Sequence, residues 1–292
     1  MSIKEEKDFI QEQKQEFKNY IGWFPGHMAK ATKEIKQMAT LCDVFIVVLD
    51  ARCPISSYNE DFDLISPNKP RLFVITKSDL MDASKKERIN KRFGSSNILW
   101  LDLRKAKSRN LILNKLKSLM KDKIQKNREK GIINTKIKSF VLGVPNAGKS
   151  TLINLMAQNS KLKVADYPGV TRNVQWVNVD NTYLFLDTPG ILLPKFDDQE
   201  VAVKLATIGS IKTDIFPLFF MAKNIYLLIS KYYPDKIEQL GTLACEDEVQ
   251  AYNQLVTLAI NKNFKINNKP DLNKVCAWFI NWAKKLTGVT YD

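Results

Sequence analysis

The chain has 292 residues, 45% of them hydrophobic and 26% charged, so disorder throughout is excluded and one large domain or two ordinary ones are expected. The formal net charge of +14 favours a polyanionic partner, with nucleic acid ahead of an anionic membrane surface; a lysine-rich surface without such a partner is the remaining alternative. Four cysteines without a C-x-x-C pair, together with a single histidine, disfavour a zinc site and predict reduced thiols.

The N-terminal extension, residues 1–20, is charged and lacks glycine and proline, which indicates an exposed helix or a loose tail. No apolar run follows its first charges, so it is not a secretory signal. The most apolar later stretch, Phe216–Ile229, is interrupted by Lys223 and Asn224 and is too short to cross a bilayer. We therefore expect a cytoplasmic protein, monomeric and without a membrane partner.

Between residues 21 and 195, short continuous apolar runs alternate with helical patterns. Such runs are typical of strands buried on both faces, and their alternation with helices predicts an α/β domain with a parallel sheet. The predicted buried strands are Val44–Leu49, Leu72–Ile75, Ile98–Leu101 and Phe140–Leu142. A hairpin is predicted for Val174–Val179 and Tyr183–Leu186.

After about Lys195 the strand-like runs stop, which predicts a smaller, all-helical C-terminal domain over residues 196–292. Its predicted helices are Gln199–Ile211, Phe216–Tyr232, Glu246–Asn261 and Leu272–Leu286. Basic and aromatic residues in this domain suit contacts with RNA phosphates and bases, although solvated lysines around core aromatics are the alternative. The candidates are Lys204, Lys212, Lys223, Lys231, Lys236, Lys284 and Lys285, with Trp278 and Trp282.

Residues 143–150 read G-V-P-N-A-G-K-S, a complete G-x-x-x-x-G-K-S phosphate-binding loop between a buried strand and a helix. Backbone N–H groups of such a loop surround phosphate oxygens, and the following helix directs its positive end at them. Lys149 would add a charge at the β- and γ-phosphates, and the Ser150 hydroxyl would bind Mg²⁺. The predicted nucleotide contacts of this loop are Asn146, Ala147, Gly148, Lys149, Ser150 and Thr151.

Two segments after the loop carry candidate γ-phosphate and Mg²⁺ contacts. Asp187-Thr188-Pro189-Gly190 follows a strand, so Asp187 is a candidate Mg²⁺ ligand and the Gly190 N–H a candidate γ-phosphate donor. Thr171 resembles the switch threonine that meets Mg²⁺ and the γ-phosphate, although it could simply begin a strand.

Thr76-Lys77-Ser78-Asp79 follows the second buried run and resembles the guanine-reading N-K-x-D motif, with Thr76 in place of asparagine. The Asp79 carboxylate can accept from guanine N1–H and the 2-amino group, which adenine lacks. The aliphatic stem of Lys77 can cover the base. Taken alone, the tetrapeptide could equally be a helix cap.

This base-reading motif precedes the phosphate loop, the reverse of the order in Ras-like GTPases. The rotated order resembles a circular permutation, in which the basic connection at residues 121–138 joins the former termini.

The order and its flanks resemble the ribosome biogenesis GTPase A family, also called the YlqF or RbgA family, and its mitochondrial relatives. The matching segments are Trp23–Ala31, Asp50–Pro54, Pro145–Asn154, Pro168–Arg172, Asp187–Leu192 and Leu205–Lys212. The resemblance implies a circularly permuted P-loop GTPase domain, hydrolysis of GTP to GDP, and a role in late maturation of the large ribosomal subunit, bound through rRNA and ribosomal proteins. The family's second base loop would fall near Arg104 and Lys105, where its usual small residues are absent.

Three residues bear on hydrolysis. Ile191 stands where Ras-like GTPases carry a water-positioning glutamine, which predicts slow intrinsic hydrolysis until the ribosomal particle stimulates it. His27, at the start of a predicted helix, could orient the water as neutral imidazole or merely pack there. Asn146 occupies the position at which potassium-activated GTPases carry asparagine, so K⁺ is a candidate cofactor beside Mg²⁺; a turn-forming role is the alternative.

Three function classes follow: a GTPase acting in ribosome assembly, a nucleotide-gated binding module with little hydrolysis, and a P-loop kinase or ATPase. The third is disfavoured because no lid or catalytic-loop motif is present and the tetrapeptide at 76–79 has no role in it.

Overall fold

The computed structural model describes residues 33, 35–58, 60, 63–64, 66–157, 164–165, 175–179, 182–187, 199–211 and 216–292. Described residues up to Asp187 belong to one compact unit, and residues 199–291 belong to a second. His27, Thr171, Gly190 and Lys212 lie outside the described residues.

The first unit is built on a seven-stranded sheet with the spatial order β3-β2-β1-β4-β7-β6-β5. Five neighbouring strands, from β3 to β7 in that order, run parallel, and β6 and β5 continue the sheet antiparallel at one edge. The strands are β1 Val44–Asp50, β2 Arg71–Thr76, β3 Ile98–Trp100, β4 Ile137–Leu142, β5 Val164–Ala165, β6 Gln175–Asn178 and β7 Tyr183–Asp187.

The central strands are apolar on both faces because helices cover the sheet. Every residue of β1 is buried, including the terminal Asp50. Ile89, Ile112 and Leu152, from three different helices, join the strands in one hydrophobic cluster. Helices of this unit whose bounds are described are α1 Lys86–Phe93, α2 Lys107–Leu119, α3 Lys121–Glu129 and α4 Lys149–Ala157, and residues 35–39 are also helical.

The sheet register determines where the functional loops meet. β1 pairs with β2 so that Asp50 lies opposite Thr76, and β1 pairs with β4 on its other side. The carboxyl ends of parallel neighbouring strands lie at one edge of a sheet, where ligands of open α/β sheets bind. The loop after β2 and the loop after β4 therefore meet there, although they are far apart in sequence. This confirms the predicted α/β architecture.

The second unit is largely helical, as predicted. Its helices are α5 Gln199–Thr207, α6 Leu218–Tyr232, α7 Pro234–Glu238, α8 Glu248–Asn261 and α9 Leu272–Ala283. The apolar faces of α6 and α9 form its core, where the rings of Tyr226 and Phe279 stack with centroids 5.2 Å apart. One element departs from the prediction of an all-helical domain: strands β8 Lys265–Ile266 and β9 Lys269–Pro270 form a short hairpin before α9.

All four cysteines are free thiols and all are buried. Burial raises the pKa of both Cys42 and Cys276 to about 12. Reduced thiols were predicted, and the described structure contains no disulfide between them. Within the described parts of the chain, no helix combines the length and apolar character needed to span a bilayer.

Candidate functional site

The phosphate loop joins β4 to α4 and lies against β1. A Cβ on Gly143 would fall 2.4 Å from the Val48 carbonyl oxygen, so only glycine allows this close approach. Two further positions adopt left-handed backbone conformations, with φ of 59° at Asn146 and 104° at Gly148. These conformations produce the sharp turn that a phosphate-cradling loop requires.

The Lys149 side chain folds back across its own loop. Its Nζ donates to the carbonyl oxygens of Gly143 at 2.7 Å and Val144 at 2.8 Å, and the side chain is buried. Lys149 begins α4, and Ser150 and Thr151 follow in its exposed first turn. The positive end of the helix dipole and the lysine charge therefore lie at the same place, which suits an anion.

Thr76, the last residue of β2, ties the base loop to the phosphate loop. Its side chain is 1% exposed, and its Oγ1 donates to the Ala147 carbonyl oxygen at 2.5 Å. The same hydroxyl lies 3.1 Å from the Leu49 carbonyl oxygen. Threonine at this position therefore makes a buried structural link that sequence reasoning did not predict.

Lys77 makes a second link between the two loops. Its backbone is left-handed, with φ of 54°, and its Nζ donates to the Asn146 carbonyl oxygen at 2.7 Å. The same ammonium donates to Asp50 Oδ2 at 2.6 Å. The Lys77 side chain thus runs across the space between the phosphate loop and the base loop.

Asp50 is a site residue that the sequence analysis recorded only as part of a family segment. Its carboxylate is 0% exposed and accepts from Arg52 Nε at 3.0 Å and Arg52 Nη2 at 2.9 Å, as well as from Lys77. Burial alone would raise the pKa of Asp50, but Arg52 and Lys77 outweigh it and hold the pKa below its ordinary value. The sequence signal was a carboxylate at the end of a fully buried strand, the same signal used for Asp187.

The carboxylate of Asp79, which the sequence predicts to read the base, accepts a hydrogen bond from Arg104. Arg104 Nη2 donates to Asp79 Oδ2 at 2.8 Å, and its Nε donates to Asp102 Oδ1 at 2.9 Å. Hydrogen bonding from Arg104 lowers the pKa of Asp102 below its ordinary value. Lys105 Nζ is 4.0 Å from Asp102 Oδ2, and the Ser78 N–H donates to the Leu101 carbonyl oxygen at 3.3 Å. The two predicted base loops are therefore neighbours, linked by Arg104.

Backbone register brings the end of β7 close to the phosphate loop. Leu186 pairs with Phe140 on β4, so Asp187 ends a strand that adjoins the strand leading into Gly143. No group of three or more histidine, cysteine or acidic side chains that could hold a metal ion occurs among the described residues. Ser150, exposed in the first turn of α4, offers a hydroxyl oxygen at this edge, a ligand type that suits Mg²⁺ completed by phosphate and water.

Acidic partners in the second unit engage several of the predicted RNA-contacting lysines. Lys223 is 0% exposed and its Nζ lies 3.2 Å from Glu248 Oε2, so the prediction that it contacts RNA is wrong. Lys204 and Lys231 both pair with Glu200, at 3.2 Å and 3.0 Å. Helix packing, which the linear sequence does not display, brings these charges together.

Comparison with known proteins finds similar sequences among ribosome-associated GTPases. Residues 138–262 match the family described as 50S ribosome-binding GTPase. Ribosome biogenesis GTPase A of Bacillus cereus is 39% identical over 251 residues, which cover 83% of this chain and 82% of that protein. Mitochondrial ribosome-associated GTPase 1 of Xenopus tropicalis is 30% identical over 84% of this chain and 81% of its own length.

Solved structures show the same fold. The GDP-bound structure of TM YlqF aligns with a TM-score of 0.63 and 20% identity, covering 88% of this chain and 97% of that chain. GNP-bound YlqF from T. maritima aligns with a TM-score of 0.62 and 21% identity, covering 90% and 97%. The phosphate loop is complete and the predicted base loops adjoin it, and the relative from Bacillus cereus is 39% identical over more than four fifths of both chains. This chain therefore belongs to the ribosome biogenesis GTPase A family.

Proposed function

We propose that this protein binds GTP, hydrolyses it to GDP, and acts as an assembly factor in late maturation of the large ribosomal subunit, with its nucleotide state controlling binding to the particle. The observation that carries the proposal is the double link between base loop and phosphate loop, Thr76 to Ala147 and Lys77 to Asn146. These links hold the two halves of a guanine nucleotide site at a fixed separation, as binding of one rigid ligand across both requires.

In the proposed site, Asp79 accepts from N1–H and the 2-amino group of guanine once Arg104 releases it. The stem of Lys77 lies along the base, while Asn146, Ala147, Gly148 and Thr151 contribute backbone contacts to the phosphates. Lys149 turns from its loop carbonyls to the β- and γ-phosphates, and Arg104, Lys105 and Ser78 border the base. An adenine base would leave the Asp79 acceptor without a donor, so we expect the site to discriminate against ATP.

Mg²⁺ fits the oxygen donors at this edge, where Ser150 and Asp187 would hold it together with Thr171. When bound, the ion supplies positive charge against the phosphate oxygens. Gly190 would donate its N–H to the γ-phosphate. Support for this arrangement is the placement of Ser150 in the first turn of α4 and of Asp187 at the end of the neighbouring strand β7.

The proposed catalytic group is His27, which would orient the attacking water as a neutral imidazole. It would do the work of the water-positioning glutamine of Ras-like GTPases, because this chain has Ile191 at that position. We expect His27→Ala to leave GTP affinity unchanged and to lower particle-stimulated turnover about 100-fold or more. Unchanged turnover would leave His27 a packing residue. K⁺ beside Asn146 is a further proposal, and equal rates in K⁺ and in Na⁺ would contradict it.

The test compares hydrolysis of GTP and ATP with and without purified large ribosomal subunits, using the wild type and Asp79→Asn. We expect Asp79→Asn to weaken GTP binding about 100-fold and to improve XTP binding, because an amide donates to the C2 oxygen of xanthine. Asp82→Asn, which changes a half-buried carboxylate that caps a short helix and is not among the proposed nucleotide contacts, serves as the matched control.

The outcomes separate the function classes. GTP hydrolysis stimulated by subunits supports the assembly GTPase. Nucleotide-dependent subunit binding without turnover indicates the gated binding module, and equal use of ATP and GTP contradicts the guanine site.

A further inference from the structure

The segment between α8 and α9 forms a basic surface that the sequence analysis did not predict. We call it the hairpin surface. Its members are exposed lysines and asparagines around β8 and β9, beside a partly buried tryptophan on α9: Lys262, Lys265, Asn267, Asn268, Lys269, Lys274 and Trp278. All of them lie in the second compact unit.

The backbone of the hairpin is a two-residue turn of the kind that matches strand twist. Asn267 and Asn268 both have positive φ, 50° and 59°, which is the signature of a type I′ turn. Beyond the two strands, the Asp271 N–H donates to the Phe264 carbonyl oxygen at 2.9 Å, which extends the ribbon. The tip therefore presents two amide side chains, each able to donate and accept hydrogen bonds.

The strand register places two lysines on opposite faces of this ribbon. Lys269 is directly opposite Ile266, whereas Lys265 is directly opposite Pro270. Directly opposed residues of an antiparallel pair share a face, and successive residues alternate between faces. Lys265 and Lys269 therefore flank the tip on its two sides, rather than forming one flat basic face.

The hairpin lysines also differ in charge environment from the lysines of α5 and α6. Where Lys204 and Lys231 pair with Glu200, neither Lys265 nor Lys269 has a carboxylate within ion-pair distance among the described residues. The nearby Asp271 carboxylate accepts from the Lys274 N–H, where it caps the start of α9. The positive charge of the hairpin is thus not neutralised within the described part of the unit.

Aromatic rings support the base of the hairpin. Lys262 Nζ lies 4.7 Å from the centroid of the Trp278 ring, and Lys274 Nζ lies 4.9 Å from that of Phe264. Phe264 and Trp278 pack edge to face, with centroids 6.5 Å apart. These contacts hold both ammonium groups against ring faces. These ring contacts therefore fix the base of the hairpin against α9.

We propose that the hairpin surface binds an RNA helix, with the Asn267-Asn268 tip in the shallow minor groove and Lys265 and Lys269 on the phosphates of the two strands. The A-form minor groove is wide and displays 2′-hydroxyl groups, which suit amides that both donate and accept. A lipid surface fits less well for two reasons. Ile266 is the single exposed large apolar side chain of the hairpin, so little apolar surface is available to enter a membrane, and the two lysines lie on opposite faces. This inference rests on the proposed function and locates the RNA contact on one element.

The test uses a protein-free RNA duplex of about 20 base pairs, the DNA duplex of the same sequence, phosphatidylglycerol vesicles and purified large subunits. In Lys265→Gln/Lys269→Gln we expect affinity for the RNA duplex at ~0.1 M salt to fall roughly ten- to a hundredfold. The slope of log affinity against log salt should fall by about 2, since each phosphate contact contributes roughly 0.9. Lys126→Gln/Lys130→Gln, which removes two exposed charges at the end of α3, should change neither quantity.

A second variant separates shape from charge. Asn267→Gly/Asn268→Gly keeps the turn, because glycine accepts positive φ, but it removes both amides. We expect it to lower the preference for RNA over DNA while leaving the salt slope unchanged. The structural integrity of both variants is checked by an unaltered unfolding midpoint.

The proposal is overturned if the hairpin variants bind the RNA duplex as the wild type does, if the α3 control loses as much affinity, or if the hairpin substitutions abolish vesicle binding and spare RNA binding. Failure of the wild type to co-sediment with large subunits would refute the ribosomal function. The duplex measurements would then still decide whether the hairpin binds RNA.

Discussion

At the scale of single residues, hydrogen bonds from Arg104 join the two predicted base loops. Arg104 is 72% exposed yet joins Asp79 and Asp102, so the proposed guanine contact at Asp79 would compete with this hydrogen bond. Asp102 remains as a partner for the displaced guanidinium. We therefore expect Arg104 to compete with guanine for Asp79 and so to weaken nucleotide binding.

We expect Arg104→Ala to raise the affinity for GDP about two- to fivefold, the range in which an exposed ion pair contributes. The measurement is fluorescence titration with a labelled guanine nucleotide, together with the rate of nucleotide release. Arg92→Ala, which removes an exposed arginine paired with Glu60 outside the site, is the control. A loss of affinity in Arg104→Ala would mean that the guanidinium contacts the nucleotide rather than competing with it.

Thr76, which stands where the guanine-reading motif usually has asparagine, links the base loop to the phosphate loop. Its hydroxyl is buried between the Leu49 and Ala147 carbonyl oxygens, and removing it leaves a buried acceptor unpaired. Thr76→Val should therefore lower the free energy of unfolding by about 1–2 kcal/mol and weaken GTP binding through a looser phosphate loop. Urea unfolding and nucleotide titration measure the two effects.

Thr76→Ser keeps the hydroxyl and should retain most of both properties. If Thr76→Val binds GTP as the wild type does, the link between the loops does not shape the nucleotide site.

At the scale of elements, Glu200 connects α5 to the end of α6. Its carboxylate accepts from Lys231 at 3.0 Å and from the Tyr232 hydroxyl at 2.8 Å. Burial alone would raise the pKa of Glu200, but these hydrogen bonds and that from Lys204 lower it to about 2. Because the folded-state pKa lies below the ordinary value of 4.5, the stabilisation is present above about pH 4.5 and is lost as the pH falls towards 2.

Glu200→Gln should lower the free energy of unfolding at pH 7 by ~0.5–1 kcal/mol, a modest value because the side chain is partly exposed. The difference from the wild type should shrink as the pH is lowered from 4.5 towards 2. Urea unfolding at several pH values measures this. Glu87→Gln, whose carboxylate lies 3.2 Å from the exposed Lys91 ammonium on α1, should show no comparable change.

Elements also show how far sequence reasoning reaches. The buried strands were predictable because an unbroken apolar run has few other structures available, and the phosphate loop because its glycines and lysine occur at fixed spacing. The β8–β9 hairpin was missed because strands of two residues are too short to show an alternation of apolar and polar positions. Two features depend on partners 25 residues away in the chain: Lys223 pairs with Glu248, and Arg104 donates to Asp79. Local patterns do not encode such pairings.

At the scale of the whole molecule, the motif order bears on how nucleotide state could reach the second unit. The predicted switch segments lie near residues 165–173 and 187–195, and α5 begins at Gln199, nine residues after Gly190. In an unpermuted chain these segments lie in the middle of the domain. A γ-phosphate contact at Gly190 would therefore act on a segment that leads into the helical unit within a few residues, which suits a two-state switch.

We expect the GTP-bound protein to bind the large ribosomal subunit more tightly than the GDP-bound protein, and salt to weaken that binding strongly because phosphates dominate the contact. The measurement is co-sedimentation with purified subunits in the presence of a GTP analogue, GDP or no nucleotide, at several salt concentrations. Asp79→Asn is the internal control, because its binding should respond to an XTP analogue and not to the GTP analogue. Equal co-sedimentation in all three nucleotide states would refute the switch while leaving the particle as a partner. If no condition gives co-sedimentation, the ribosomal role fails, and the chain remains a GTPase whose partner is a different macromolecule.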